Sequence, residues 1–359
     1  MGKIKFLMNS KVCIVLVNYK TVNDTIECIE SILKSDYKNY QIVIVENGSD
    51  DKSWENLIKW AKGELSNTIY PDNKLFCLTH PVVTKPVMYF RADVGESDTL
   101  RLGPLDGINP LLLIKSNINL GFAGGNNVGM RYALNSGFDY VWLLNNDTVI
   151  EPDAISELVK FNEKKKKNNE RIGITGSKLL LYHQPDKLQG VGAIFNKYSG
   201  KSKIIGAQQI DTGQFDDEEI SCNYVIGASM FASKEFLLDV GLMSEEYFLY
   251  NEENDWSARG KLKGWKVGVA VKGKVYHKQG ASTGNSPKKS KWQIIALNYK
   301  YRGKIKLYKK YYFPQLPFLY IHLLTRSLRY IMRGNMKEAK VIYGAMFNTK
   351  FNPVTENAK

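Results

Sequence analysis

Cysteine and histidine are scarce in this sequence, with four residues of each type among 359. The cysteines lie far apart and form no C-x-x-C pair, so neither a zinc site nor a disulfide framework is predicted. A reducing compartment is the usual setting for such a protein. The sequence also lacks a run of the roughly 18 apolar residues that a membrane span needs. Its apolar stretch at 12–17 is too short for a signal peptide as well, and we expect a cytoplasmic protein.

Two common nucleotide-binding fingerprints are missing. The chain has no G-x-x-x-x-G-K-[ST] segment, and its glycine-rich stretch GFAGGNNVG at 121–129 lacks the G-x-G-x-x-G spacing. Neither a P-loop nor a dinucleotide-binding site is therefore predicted. The glycines at 121–129, interpreted as a loop that leads into a helix over 127–135, permit close approach to a nucleotide sugar. Tight packing at a strand–helix turn is the alternative.

Charge is unevenly distributed along the chain. The net charge of +14 comes from residues 286–359, which hold 16 Lys and Arg against two acids, whereas residues 1–285 are neutral. A basic, aromatic tail on a neutral body suggests an anionic partner for the tail. Phospholipid head groups fit, and nucleic acid is the competing interpretation. No nucleic-acid-binding motif is present, so nucleic acid is not expected to be the partner.

The apolar pattern predicts an α/β fold. Continuous apolar runs at 12–17, 41–45 and 140–144 are typical of strands buried in a parallel sheet, and a helical stretch follows the first and the third of them. We expect a mostly parallel, Rossmann-like central sheet with flanking helices over 1–285. A proline-rich insertion interrupts it at about 70–110, and a basic, aromatic helical extension follows over 286–359.

Polar clusters follow three of the predicted strands, at Asn18-Tyr19, at 46–51 and at 145–147. The carboxyl ends of parallel strands meet at one edge of a sheet, where ligands bind. Asp147, helped by an Asn carbonyl, could hold Mg²⁺ or Mn²⁺, because these ions favour oxygen ligands and complete their shells with phosphate and water. The alternative is a polar turn that caps the helix beginning near Pro152.

A second group of candidate catalytic and metal-binding residues lies later in the chain. Glu252, Glu253 and Asp255 are three carboxylates within four residues, and one of them could take a proton from a hydroxyl group. A solvated helix start is the alternative for this cluster. His277 follows a predicted strand at 265–276 and could bind a metal or a diphosphate, although a lone histidine is more often structural.

Taken in order, these motifs resemble glycosyltransferase family 2, with its GT-A fold, and most closely its bacterial rhamnosyltransferase-like members. The resemblance covers most of residues 10–285 outside the insertion. It rests on the segments VCIVLVNYK at 12–20, VIVENGSDD at 43–51, NLGFAGGNNVGMRYAL at 119–134, YVWLLNNDTVIEPDAI at 140–155, YVIGASMFASKEFLLDVGLMSEEYFLYNEENDW at 224–256 and GWKVGVAVKGKVYHKQGAST at 264–283.

The resemblance implies roles for individual residues. Asp147 matches the second Asp of the family's metal-binding D-x-D motif, with Asn145 in place of the first, and His277 matches a histidine near the metal. Glu253 would be the catalytic base, with Glu252 and Asp255 as alternatives. The residues implied in nucleotide and donor binding are Asn18, Tyr19, Glu46, Asn47, Asp51, Gly121, Gly124, Gly125, Asn126, Asn145 and Asn146.

The implied reaction is inverting and metal-dependent, using Mg²⁺ or Mn²⁺. A sugar moves from a UDP- or dTDP-sugar to a hydroxyl of a glycan or lipid-linked glycan, in cell-surface polysaccharide synthesis. The alternative is a catalytically impaired nucleotide-sugar-binding protein, because Asn145 and Glu253 depart from the family's usual Asp.

The basic extension has two interpretations. Residues 286–340 combine basic charge with an aromatic and apolar face, which is typical of a helix in an anionic membrane interface. That would place the enzyme peripherally at the inner face of the plasma membrane. Packing of the extension on the catalytic body, with a solvated basic face, is the alternative.

Overall fold

A computed structural model describes residues 9–65, 74–101, 110–217, 219–279 and 291–349. Parts of the proline-rich insertion and the basic residues Lys288 and Lys289 lie outside these ranges. The strands are β1 Val12–Asn18, β2 Tyr40–Asn47, β3 Tyr89–Asp93, β4 Leu111–Ser116, β5 Tyr140–Leu144, β6 Thr148–Ile150, β7 Ile172–Leu181, β8 Gln184–Gly190, β9 Ala193–Asn196, β10 Lys201–Ile204, β11 Ser229–Ser233 and β12 Lys266–His277. The helices are α1 Val22–Leu33, α2 Ser53–Lys62, α3 Phe76–Thr79, α4 Gly121–Asn135, α5 Ala154–Lys167, α6 Lys234–Val240, α7 Glu252–Leu262, α8 Lys291–Tyr311, α9 Leu316–Met332 and α10 Met336–Met346.

Ten strands form the central sheet, in the order β3-β4-β2-β1-β5-β11-β7-β12-β6, with β8 paired to β7. The strands from β3 to β5 are all parallel, and antiparallel pairs enter at β11, β6 and β8. From β1 the chain builds outward through β2 and β4, then returns to β5 on the other side of β1. Such a reversal opens a crevice at the carboxyl ends of β1 and β5, where ligands bind in open α/β sheets.

The sheet is buried on both faces, as its continuous apolar strands require. Val12, Ile14 and Leu16 of β1 pack with α1, α2 and α5 on one face. Cys13 and Val15 pack with α4, α6 and α7 on the other face. The predicted α/β fold, with a mostly parallel sheet, flanking helices and C-terminal helices, is confirmed.

The prediction of a loop over the glycine-rich stretch is wrong. Helix α4 begins at Gly121 and contains these glycines. A Cβ atom on Gly129 would lie 2.4 Å from Val15 Cγ1, and one on Gly125 would lie 2.8 Å from Val17 Cγ1. The glycines therefore allow α4 to lie directly against β1, which matches the tight-packing alternative for most of the stretch.

The insertion contributes an edge to the sheet, because β3 pairs in parallel with β4. The C-terminal helices α8, α9 and α10 form their own apolar cluster, which includes Phe195 of β9 and Tyr224. The extension thus packs on the body through the β9–β10 hairpin. Over the part of the chain that the structure describes, no helix is both long and apolar enough to cross a bilayer.

Candidate active site

A cavity of about 270 Å³ opens at the carboxyl ends of β1 and β5. Residues from the ends of β1, β2 and β5 form its floor, and the start of α4 forms one side. Phe248, whose carbonyl accepts from Phe122 N at 3.0 Å, stacks on Tyr299 at 4.9 Å, so α8 of the extension also lines the cavity. The lining residues are Val17, Tyr19, Lys20, Thr21, Asn47, Asn119, Gly121, Phe122, Asn126, Leu144, Asn145, Asn146, Phe248, Leu249, Ile295, Ala296 and Tyr299.

A buried amide network holds the ends of β1, β2 and β5 together below this cavity. The Asn18 amide donates to Glu46 Oε2, and Thr25 Oγ1 donates to Asn18 Oδ1 at 2.7 Å. Asn146 Nδ2 donates to the hydroxyls of Thr21 and Thr25 at 2.7 and 2.8 Å. Burial raises the pKa of Glu46, although hydrogen bonds from Ser49 and Asn18 partly oppose this. These groups are satisfied within the protein and fix the shape of the crevice.

Asp147 and His277 meet beside the cavity. The register of the β6–β12 pair sets His277 opposite Thr148, and this brings His277 Nε2 to 3.1 Å from Asp147 Oδ1. Both side chains are buried. Burial alone would raise the pKa of Asp147, but the hydrogen bond and charge of His277 outweigh it, so this pKa lies below its usual value. Asp147 is therefore an ionised carboxylate at neutral pH.

Gln189 of β8 orients the imidazole from its other side. His277 Nδ1 lies 2.9 Å from Gln189 Oε1, which can only accept, so Nδ1 carries the proton in this pair. Nε2 faces Asp147, and Asn145 Nδ2 lies 3.3 Å from the same atom. Either a proton on Nε2, donated to Asp147, or a bound cation would join Nε2 to Asp147 Oδ1. Metal-bound histidines are commonly held in this way by a hydrogen bond to the second ring nitrogen.

The donor set fits a divalent metal whose shell the substrate completes. Within the described ranges, no three His, Cys, Asp or Glu side chains come together as a metal cluster. Mg²⁺ commonly takes only one or two protein carboxylates, together with substrate phosphates and water. Asp147 and His277, with the Asn145 amide beside them, would supply the protein's share of such a site.

The acidic motif begins α7 directly after the cavity wall. Tyr250 and Asn251 both have left-handed backbone, with φ of 68° and 73°. Such conformations cost about 1–3 kcal/mol each and persist when the surroundings enforce them. Helix α8 supplies that enforcement: Asn251 Nδ2 donates to the Lys300 carbonyl at 3.2 Å, and a Cβ on Gly303 would lie 2.8 Å from Asn251 Nδ2. The extension thus fixes the turn that presents Glu252 and Glu253.

Glu252 and Glu253 have different protonation preferences. Burial, and then the charge of Glu253, raise the pKa of Glu252 well above its usual value, and its buried Oε2 has no hydrogen-bond partner among the described residues. Burial also raises the pKa of Glu253, but hydrogen bonds from the backbone and from Asn254 and the charge of Lys300 oppose this. The hydrogen bond from Asn254 and the charge of Lys300 thus favour the ionised form at Glu253, whereas Glu252 lacks both contributions.

Asp255 is occupied by structural contacts. Its Oδ2 accepts from Arg259 Nε at 2.7 Å, and its Oδ1 accepts from Tyr311 Oη at 2.9 Å. The side chain is fully buried. Asp255 therefore ties α7 to the C-terminal end of α8, and its full burial keeps it from a substrate.

The structure brings together only part of the predicted site. Six of the predicted nucleotide and donor residues line the cavity: Tyr19, Asn47, Gly121, Asn126, Asn145 and Asn146. Asn18 and Glu46 lie beneath it. The exposed Asp51 accepts from Ser53 N at 2.9 Å, and a Cβ on Gly124 would meet Leu120. Gly125 packs on Val17 and also does not line the cavity.

Sequence reasoning missed the contribution of the extension to the cavity and the role of Gln189. Ile295 and Tyr299 stand four residues apart on α8, a spacing that marks one helix face but does not identify what that face contacts. Gln189 lies in no recognisable motif. Phe248 and Leu249, which precede the acidic motif, were a usable signal, because large apolar residues beside acids are rarely left in solvent.

Residues 12–76 match the model of the family described as glycosyl transferase family 2. The match spans β1 through the beginning of α3 and supports the sequence resemblance over that segment. Among curated proteins, none matches the chain.

Two solved structures align with most of the chain. Residues 1–349 of TarS from S. aureus are 10% identical, with 95% of this chain and 93% of that chain covered and a TM-score of 0.44. The mannosyltransferase PcManGT from Pyrobaculum calidifontis, in complex with GDP-Man and Mn²⁺, is 11% identical, with 97% and 88% covered and a TM-score of 0.49. At these values neither likeness bears on the reaction of this chain.

Proposed function

We propose that the protein is a metal-dependent glycosyltransferase that moves a sugar from a nucleoside diphosphate to an acceptor hydroxyl. The observation that carries the proposal is the pair of Asp147 and His277, oriented by Gln189 beside a cavity at the carboxyl edge of the sheet. The family match over 12–76 supports glycosyl transfer as the class of reaction.

The donor would bind in the cavity with its diphosphate towards Asp147. The apolar wall of Phe248 and Tyr299 suits a flat base, and the polar lining residues Tyr19 and Lys20 suit the sugar and phosphate groups of such a ligand. A bound Mg²⁺ or Mn²⁺ would neutralise the negative charge on the departing nucleoside diphosphate. Asp147 and His277 would hold it.

Glu253 is proposed as the general base. The ionised carboxylate takes the proton of the acceptor hydroxyl, and the hydroxyl oxygen forms a bond to the anomeric carbon. The bond from that carbon to the diphosphate oxygen breaks, and the nucleoside diphosphate leaves. Attack opposite the leaving group inverts the anomeric configuration. The Asn254 hydrogen bond and the Lys300 charge, which favour an ionised Glu253, support this residue over Glu252 as the base.

The resemblance suggests the finer features. A UDP- or dTDP-sugar is the proposed donor, with rhamnose among the candidate sugars, and a glycan or lipid-linked glycan is the proposed acceptor, in cell-surface polysaccharide synthesis. The test is a panel of UDP-, dTDP- and GDP-sugars, each incubated with the full chain in Mn²⁺, Mg²⁺ or EDTA. Release of nucleoside diphosphate from one donor only, absent in EDTA, is the expected result.

A nucleotide-sugar-binding protein without turnover is the second candidate. Asn145 favours it, because a neutral amide stands where the family often has an acid. Metal-dependent binding of a donor, combined with no release of nucleoside diphosphate in the presence of a broad acceptor panel, would support this candidate over the transferase.

A further inference from the structure

Helix α9 is apolar on two sides. Leu319, Leu323 and Ser327 face inward, and the two leucines join the apolar cluster of the extension. A second set of large apolar side chains points away from the protein at spacings of three and four residues. This outward arc comprises Phe318, Ile321, Leu324, Leu328, Ile331 and Met332.

The outward arc is well exposed. Ile321 is 60% exposed, Leu328 is 53% exposed and Met332 is 85% exposed. Single exposed apolar residues are normal, but a contiguous set on one helix face marks an interaction surface. The tip of the β9–β10 hairpin extends it, since the exposed ring of Tyr198 lies 6.0 Å from that of Phe318.

A row of positive charge runs along one edge of this arc. Arg326, Arg329 and Arg333 are exposed and lie between the outward arc and the buried face of α9. Partial burial lowers the pKa of His322, and the nearby charges of Lys201, Lys304, Arg326 and Arg329 lower it further, so these cations surround one region. Residues 291–349 contain a single acid, Glu338, and it is buried.

We propose that the outward arc of α9, with its arginine row, docks the protein on an anionic lipid bilayer. The apolar side chains would enter the boundary between head groups and acyl chains, while the arginines contact lipid phosphates. The positive charge of the arginine row argues against a second copy of the chain as the partner that covers this arc. An antiparallel two-fold contact through this face would bring the arginine rows of both copies together, and residues 291–349, the part of the extension that the structure describes, hold no exposed acid to balance them.

The test is co-sedimentation of the full chain with vesicles, without donor or metal. One set contains phosphatidylcholine alone, and the other contains phosphatidylcholine mixed with phosphatidylglycerol. We expect binding to the mixed vesicles that weakens at high salt, because surface charge is then screened. Ile321→Asp combined with Leu328→Asp should weaken this binding about tenfold or more, since two apolar side chains leave the interface. Arg329→Gln should weaken it about fivefold.

Leu238→Asp is the matched control, because Leu238 is 66% exposed on α6 of the catalytic body. It should bind vesicles like the unaltered chain. Donor hydrolysis in solution should be the same in all variants, so that loss of docking is separable from loss of the proposed reaction. Failure to bind the mixed vesicles, or equal loss in the Leu238 control, would overturn the proposal. So would a dimer in sedimentation velocity that dissociates in the double variant, because it would assign the arc to a second copy.

Discussion

His277 Nε2 lies 3.1 Å from Asp147 Oδ1, and the antiparallel pairing of β12 with β6 sets this distance. The two residues come from distant parts of the sequence: Asp147 directly precedes β6, and His277 is the last residue of β12, which pairs antiparallel with β6. Asp147 is the carboxylate that resembles the family's metal ligand. The imidazole beside it is held at its other nitrogen by Gln189.

Replacement of Asp147 tests the carboxylate. Asp147→Asn keeps the shape of the side chain but removes its charge, so the protein should lose metal-dependent nucleotide binding. We expect kcat/KM to fall about a thousandfold, since a metal contributes several kcal/mol to stabilising the leaving group. Titration with Mn²⁺ and nucleoside diphosphate measures the binding. Asp186→Asn, at an exposed surface pair with Lys74, is the control and should behave like the unaltered protein.

Gln189 tests the orientation of the imidazole. Gln189→Leu removes the acceptor for His277 Nδ1–H and frees the ring to rotate or change tautomer. Metal affinity should fall about tenfold, the lower end of the effect of such partners. Gln189→Glu retains an acceptor oxygen and should restore most of the affinity. Equal affinity in the leucine variant would mean that Gln189 has no orienting role.

The pH profile of kcat/KM tests Glu253. A general base must be ionised, so activity should be lost as pH falls through the pKa of Glu253. Because burial raises that pKa, the acid limb should lie above the ordinary glutamate value of about 4.3. Lys300→Ala removes a charge that lowers the pKa, so the limb should move to higher pH. An unchanged limb in this variant would argue against Glu253 as the titrating base.

Substitution of Gly303 tests whether α8 supports the turn that precedes the acidic motif. Gly303→Val would force its side chain into Asn251 and the Tyr250 carbonyl, and so displace the turn before Glu252. We expect kcat to fall about tenfold, with a smaller change in donor KM, since overpacking of this size costs about 1–3 kcal/mol. Lys309→Val, at an exposed position of the same helix, should leave both constants unchanged. Equal effects of the two variants would refute the supporting role of Gly303.

Gly129 tests the packing of α4 on β1. Gly129→Ala places a Cβ 2.4 Å from Val15 Cγ1 and should lower the free energy of unfolding by about 1–3 kcal/mol. Gly227→Ala meets no atom within 4 Å and should change it little. Urea denaturation followed by circular dichroism compares the two. An unchanged free energy of unfolding in Gly129→Ala would show that the helix can move away from the strand.

The sequence was sufficient to predict the sheet and its flanking helices. β1, β2 and β5 are continuous apolar runs, and such runs need a parallel sheet with both faces covered. Each run ends in polar residues, which was enough to expect Asn18 and Asn145 at one edge. The family resemblance then suggested roles that composition alone could not.

Other features depend on contacts between distant segments and leave no local pattern. The glycines of α4 indicate a loop when only neighbouring residues are considered. In the structure they allow the helix to pack closely against Val15 and Val17. The position of Tyr299 against Phe248 depends on how α8 folds back over the sheet edge. The register that sets His277 beside Asp147 is likewise a property of strand pairing.

The most direct test of the proposed function is release of nucleoside diphosphate from the preferred donor, measured with Mn²⁺ for the unaltered protein and for Asp147→Ala. We expect turnover in the unaltered protein, loss of turnover in EDTA, and loss of turnover in Asp147→Ala, whose circular dichroism should show that the fold is retained. Turnover that survives both EDTA and the substitution would contradict a metal role for Asp147 and with it the proposed mechanism.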